Sequence, residues 1–163
     1  MVTEILLLIF GIIAIIGALF ALIKPFFPAA VPAFLGLCLL HWSRFIALPD
    51  STFYFWGVAT LILFGIHYLS RNSNPEFDIT YNIYLTIAAL GGMLLGMSIG
   101  ASYMILGAVI GTIIGVVAFV NTPKGRSAKF RSSTFIHYFC TKGLQVIVTI
   151  AMAGIALEGF ILN

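Results

Sequence analysis

Two pairs of residues in this chain have the spacing of metal ligands. Cys38 and His41, and again His137 and Cys140, stand three residues apart, which puts both side chains of a pair on one helical face. Together they could make a two-cysteine, two-histidine zinc site, whose ligands must meet within about 2.0–2.3 Å of one ion. Depth argues against it. Cys38 and His41 lie toward the far end of one apolar run, whereas His137 and Cys140 open another from the opposite side, with roughly half of a 30 Å hydrocarbon core between them. No metal is expected, and no disulfide. His67 and His137 do share a depth and could in principle ligate a haem or relay a proton. Each is followed by a tyrosine, however, and a His-Tyr pair with apolar bodies and polar tips is also what anchors a helix in the headgroup zone. No cofactor is expected.

Lys142 stands inside the last apolar run, where a charge is costly enough to point to function unless it reaches the interface. Snorkelling to the near face and contact with an anion or lipid headgroup are both open to it. Gln145, one turn deeper, can bond across to another helix. Ser98, Ser102, Thr112 and Thr149 supply hydroxyls, but none has a histidine or acid at matching depth and phase, so no hydrolase is expected. The glycine-rich stretch is not a phosphate loop, since no strand precedes it and no Lys-Ser/Thr follows. The chain is read as a non-enzyme that does not bind nucleic acid.

The elements that would hold these residues follow from composition. With 61% hydrophobic and 8% charged residues, the chain cannot clothe a soluble core in polar surface. An all-α integral membrane bundle is expected, a single transmembrane domain over residues 1–163. Runs of about 20 apolar residues, long enough to cross about 30 Å of hydrocarbon, predict six helices: 4–24, 29–45, 53–70, 81–99, 104–120 and 134–161. The first lacks the basic start of a signal peptide and is expected to be retained. Phe53, Tyr54, Phe55 and Trp56 suit an interface.

The organising stretch is residues 91–115, where Gly92, Gly96 and Gly100, and then Gly107, Gly111 and Gly115, recur every fourth residue. Each register is a flat groove into which another backbone can sink, a glycine zipper. Gly36 is expected to pack in the same way. Lys24, Arg71, Lys124, Arg126, Lys129 and Arg131 fall in the first, third and fifth connections, so by the positive-inside rule those are cytoplasmic and both termini extracytoplasmic. A shift of 75 residues aligns Gly17 with Gly92, Pro25 with Gly100, Pro32 with Gly107 and Gly36 with Gly111, which suggests a 3+3 inverted repeat of residues 1–71 and 79–163. Paired breakers of this kind mark transport sites in such folds, although both are equally read as tight turns at the membrane surface.

The glycine-bearing first helix, PFFPAAVP, FLGLCLLHW, IHYLS, GAVIGTIIG and KGLQVIVTIAMAG together resemble the small bacterial membrane proteins grouped as domain of unknown function 456. The resemblance spans nearly the whole chain and implies an architecture and a bacterial inner membrane, with no established activity. It would place an Asp at His67, an acid near Val116 and a Lys at Gln145, and the chain departs at all three.

The expected function is a small transporter or permeation unit, a homo-oligomer or the subunit of a membrane complex, in contact with lipid. Its ligand site is expected between Pro25, Pro28 and Pro32 on one side and Ser98, Gly100, Ser102 and Tyr103 on the other, with Lys142 and Gln145 offering an anion contact. The competing expectation is a non-catalytic subunit or assembly factor whose glycine grooves receive a partner's helices.

Overall fold

The computed structural model describes residues 2–23, 28–44, 49–70, 79–127 and 142–162. The described residues form seven helices and no strand. These are α1 (Val2–Ile23), α2 (Ala30–Trp42), α3 (Asp50–Ser70), α4 (Ile79–Ile99), α5 (Ala101–Val120), α6 (Pro123–Ser127) and α7 (Leu144–Leu162). Helix is what an apolar chain must adopt in lipid, where each backbone N–H and C=O has to be satisfied from within its own segment. Five helices, α1, α3, α4, α5 and α7, are long and apolar enough to cross a membrane.

Several boundaries differ from those read in the sequence, each for a local reason. Helix α2 has 13 residues, about 20 Å of rise, and does not by itself match a full span. It ends where Ser43 gives its hydroxyl to the carbonyl of Leu40 (2.6 Å) and Arg44 turns left-handed (φ 61°). Helix α3 starts earlier, with Asp50 in its first turn, where a carboxylate suits the helix dipole. The break expected over residues 100–103 shrinks to Gly100 alone, because α5 begins at Ala101. The basic loop contains α6, and Trp56 turns into the core while Tyr54 and Phe55 stay exposed. Of the last predicted helix, residues 134–141 lie outside the described residues, and a wide π-type turn at Lys142 and Gly143 leads into α7.

Two antiparallel hairpins, α1–α2 and α4–α5, pack against α7, which touches all five of α1 to α5. Its span is 56% buried, against 17% for α1 and for α3. One cluster, with Tyr81, Leu85, Met93, Met104 and Ile150, fills the space between α7 and the second hairpin, and another, with Leu37, Leu40, Trp56 and Met152, the space between α7 and the first hairpin with α3.

The backbones of the α4–α5 hairpin come close at its glycines. A Cβ at Gly92 would overlap the carbonyl oxygen of Gly107, at Gly96 that of Tyr103, and at Gly111 that of Ala88, while at Gly115 it would come to 2.8 Å from that of Tyr84. Each step of four residues along one helix is met by a step of four back along the other, so the backbones touch over most of their length. The α1–α2 hairpin closes through Gly36, whose Cβ would lie 2.9 Å from the carbonyl oxygen of Gly11. Gly17, matched with Gly92 in the repeat alignment, faces open space.

Candidate functional site

A threonine inside a helix ordinarily gives its hydroxyl to a carbonyl one turn back. Thr60 does so to Trp56 (2.8 Å) and Thr112 to Ala108 (2.8 Å). Thr86 and Thr149 do not. They are 3% and 0% exposed, and Oγ1 of each has no hydrogen-bond partner; neither has Nε2 of Gln145, which is 5% exposed. Burying one such atom unpaired costs about 1–3 kcal/mol, so three in one bundle stand out against a well-satisfied interior.

The three belong to one end of two packed helices. On α7, Gln145 and Thr149 are four residues apart and Lys142 precedes Gln145 by three, so all share a face. On α4, Thr86 follows Asn82 by four. Helices α4 and α7 meet near Gly154, where an added Cβ would come to 2.8 Å from Sδ of Met93 and would overlap that of Met104. Counting back at 1.5 Å per residue, Thr149 lies about 7.5 Å, Thr86 about 10.5 Å and Gln145 about 13.5 Å from that level. Thr86 therefore lies within about one helical turn of both α7 residues in depth. Their sequence neighbours Leu85, Val146 and Ile150 belong to one contiguous core cluster with Leu22 and Ala29.

The surroundings of this end are basic. Asn82 donates from Nδ2 to the carbonyl oxygen of Ile23 (3.3 Å) and so ties the start of α4 to the end of α1. Ala29 and Ala30, which open α2, are buried there, and Ala29 offers no side chain to cap the helix. The positive end of the α2 dipole thus lies within the bundle. Lys142, half-buried just outside the span of α7, has its ammonium pushed below the usual lysine range by that burial. Lys124 and Arg126 on α6 lie at the same end. The described carboxylates, Glu4, Asp50 and Glu158, lie at the other end, by the starts of α1 and α3 and the far part of α7.

The residues expected to form one site are divided between the two ends. Pro28 and Pro32 lie at the basic end with Lys142 and Gln145, while Pro25 lies outside the described residues. Ser98, Gly100, Ser102 and Tyr103 lie at the opposite end of α4 and the start of α5, about 30 Å away along the 21 residues of α4. Ser98 is exposed and donates to the carbonyl of Leu95 (2.7 Å), and Tyr103 is 52% exposed. Of the positions where the family resemblance would place charges, Val116 and Gln145 are buried and His67 is half-buried. The expectations from sequence do not include Thr86 or Asn82 and give Thr149 only as a hydroxyl without a base. The available signal was the polar pair at i and i+4, twice, inside apolar runs.

A groove of about 500 Å³ runs along the outer face of the α4–α5 hairpin between Leu95, Tyr103, Leu106 and Ile110, and another of about 260 Å³ lies between α1, α4 and α7. Among the described residues no three His, Cys, Asp or Glu side chains gather as a metal site, and His41 packs edge-on against Phe53 (4.6 Å between ring centroids). His137 and Cys140 lie outside the described residues. Comparison of the chain with protein-family models, with curated proteins and with solved structures finds no match in any of the three.

Proposed function

We propose that the protein is a small membrane transporter or permeation unit whose ligand site is the buried polar cluster of Thr86, Gln145 and Thr149. The observation that carries the reading is that those three buried polar atoms lack a partner, whereas among the described residues the buried hydroxyls of Ser43, Thr60 and Thr112 each have one. Intramembrane polar groups face the bundle interior where they serve a substrate or ion. The cluster replaces the arrangement between the proline and glycine turns, because those turns lie at opposite ends of α4. The reading of the chain as a subunit that receives foreign helices is weakened by where its glycines point. Gly92, Gly96, Gly107, Gly111 and Gly115 face the other helix of their own hairpin, while the first four also line the open apolar groove beside it, which is the surface left to a foreign helix.

In this reading the basic end faces the cytoplasm of a bacterial-type inner membrane, and the starts of α1 and α3 face outward. The test is flux in proteoliposomes for the wild type and for Thr86→Val, Thr149→Val and the pair together. Solute movement that is lost in the paired variant while its helicity and oligomer are kept supports the reading. Unchanged flux in the paired variant, or no movement of any ion or small polar solute by the wild type, overturns it.

A further inference from the structure

We infer that the ligand of the Thr86–Gln145–Thr149 cluster is a small monovalent inorganic anion, such as a halide or nitrate, which enters past Lys142. The inference rests on the proposal that the cluster is a ligand site, and deepens it by naming the ligand's charge.

The donor inventory points this way. The unpaired atom of Gln145 is its amide nitrogen, which carries two hydrogens, and each threonine hydroxyl supplies one more. Lys142 adds an ammonium one turn above Gln145 on the same face of α7. It stands about 10.5 Å along the helix from Thr149, which puts it at the mouth of the cluster and not at its floor. The buried start of α2 adds a helix N-terminus to the same region, its Val31 N–H being given to the carbonyl oxygen of Pro28 (3.1 Å) and Pro32 carrying no N–H, so it contributes dipole and not donors.

A cation would meet the opposite conditions. Ion sites for hard cations are built from carboxylates and carbonyl oxygens, and among the described residues Glu4, Asp50 and Glu158 all lie at the far end. A cation in the cluster would feel Lys142 and the α2 dipole through a weakly screening interior, where repulsion between like charges is strongest. On the face of α7 that carries Gln145 and Thr149 the described cation is Lys142, and a single positive charge balances a monovalent anion but not a divalent one such as sulfate.

The experiment reads binding separately from movement. The full-length protein in detergent is heated in sodium chloride, bromide, nitrate or gluconate at equal ionic strength. The expected result is a melting temperature higher by about 2–4 °C in the small anions than in gluconate. That difference should vanish in Gln145→Leu and in Lys142→Met, and return in Lys142→Arg. An equal melting temperature in all four salts, or a small-anion shift that survives in both Gln145→Leu and Lys142→Met, overturns the inference. Chloride efflux from valinomycin-treated proteoliposomes then separates the two proposals. A small-anion shift without flux of any ion leaves the anion site standing and removes transport, whereas sodium or proton flux with no small-anion shift leaves transport standing and removes the anion.

Discussion

Gly91 and Gly92 are neighbours in sequence and opposites in structure, and the contrast between them tests the packing directly. A Cβ at Gly91 meets nothing within 4 Å. At Gly92 it overlaps the carbonyl oxygen of Gly107 and lies 3.0 Å from both the Gly107 carbonyl carbon and the Gly111 Cα. These are backbone atoms of a helix and cannot rotate away, so Gly92→Ala requires α4 and α5 to part by on the order of 0.5–1 Å, a gap that forfeits a quarter to a half of each 0.1–0.2 kcal/mol contact. With a few tens of atom pairs along the seam, the loss is about 1–3 kcal/mol, the usual range for an overpacked core. Alanine returns about 0.5–1 kcal/mol of helix preference at either position. Gly91→Ala should therefore be neutral or stabilising, and Gly92→Ala destabilising by about 1–2 kcal/mol. The gap between neighbours is about 2 kcal/mol, roughly thirtyfold in the folding equilibrium. Reversible unfolding in mixed micelles, followed by circular dichroism, measures both. Equal effects from the two substitutions would refute this close backbone contact. Gly107→Ala should match Gly92→Ala, and the double variant should cost less than the sum, since one seam is being opened twice.

Removing the orphan hydroxyls should stabilise the protein while removing a satisfied one should not. Thr86→Val and Thr149→Val are expected to raise unfolding stability by about 1 kcal/mol each, and Thr112→Val to lower it by about 0.5–1.5 kcal/mol, in the same micellar titration. Gly154→Ala should cost under about 1 kcal/mol, because the atoms it meets are the thioethers of Met93 and Met104, which swing aside more readily than a backbone. Orientation can be read by labelling intact cells with an impermeant maleimide after Cys38 and Cys140 are replaced by serine. Thr3→Cys should react and Lys124→Cys should not, and the reverse pattern would invert the topology.

Hydropathy and breakers made the helices legible, and the four-residue spacing of Gly92, Gly96, Gly107, Gly111 and Gly115 made one seam legible. Facing was harder to read. In lipid the outside of a helix is as apolar as the inside, so Phe10 and Phe20 of α1, both exposed, look no different in sequence from buried Leu22. For the same reason Gly11 and Gly17 could not be told apart until the partner helix was in place. Thr86 and Thr149 carry the candidate site, yet threonine is common in helices that bond it locally, and only burial together with the unused carbonyl distinguishes these two from Thr60 and Thr112. The depth of a turn was equally hidden. Spacing alone lets Pro28, Pro32 and Gly100 belong to one site, and the 21-residue length of α4 holds them apart.

The position of α7 also sets a timetable. It is the last of the described helices to leave the ribosome, and it is the one against which all five of α1 to α5 are packed. The α4–α5 hairpin, joined by Gly100 alone, closes through contacts that are near in sequence and so can form as the pair enters the membrane. Until α7 arrives, the inward faces of both hairpins, Leu37 and Leu40 on one side and Met93 and Met104 on the other, have only lipid, each other and, for the first hairpin, α3 to cover them. The bundle is therefore assembled as two early clasps and a late wedge, and a nascent chain stalled before residue 144 holds its hairpins without its core.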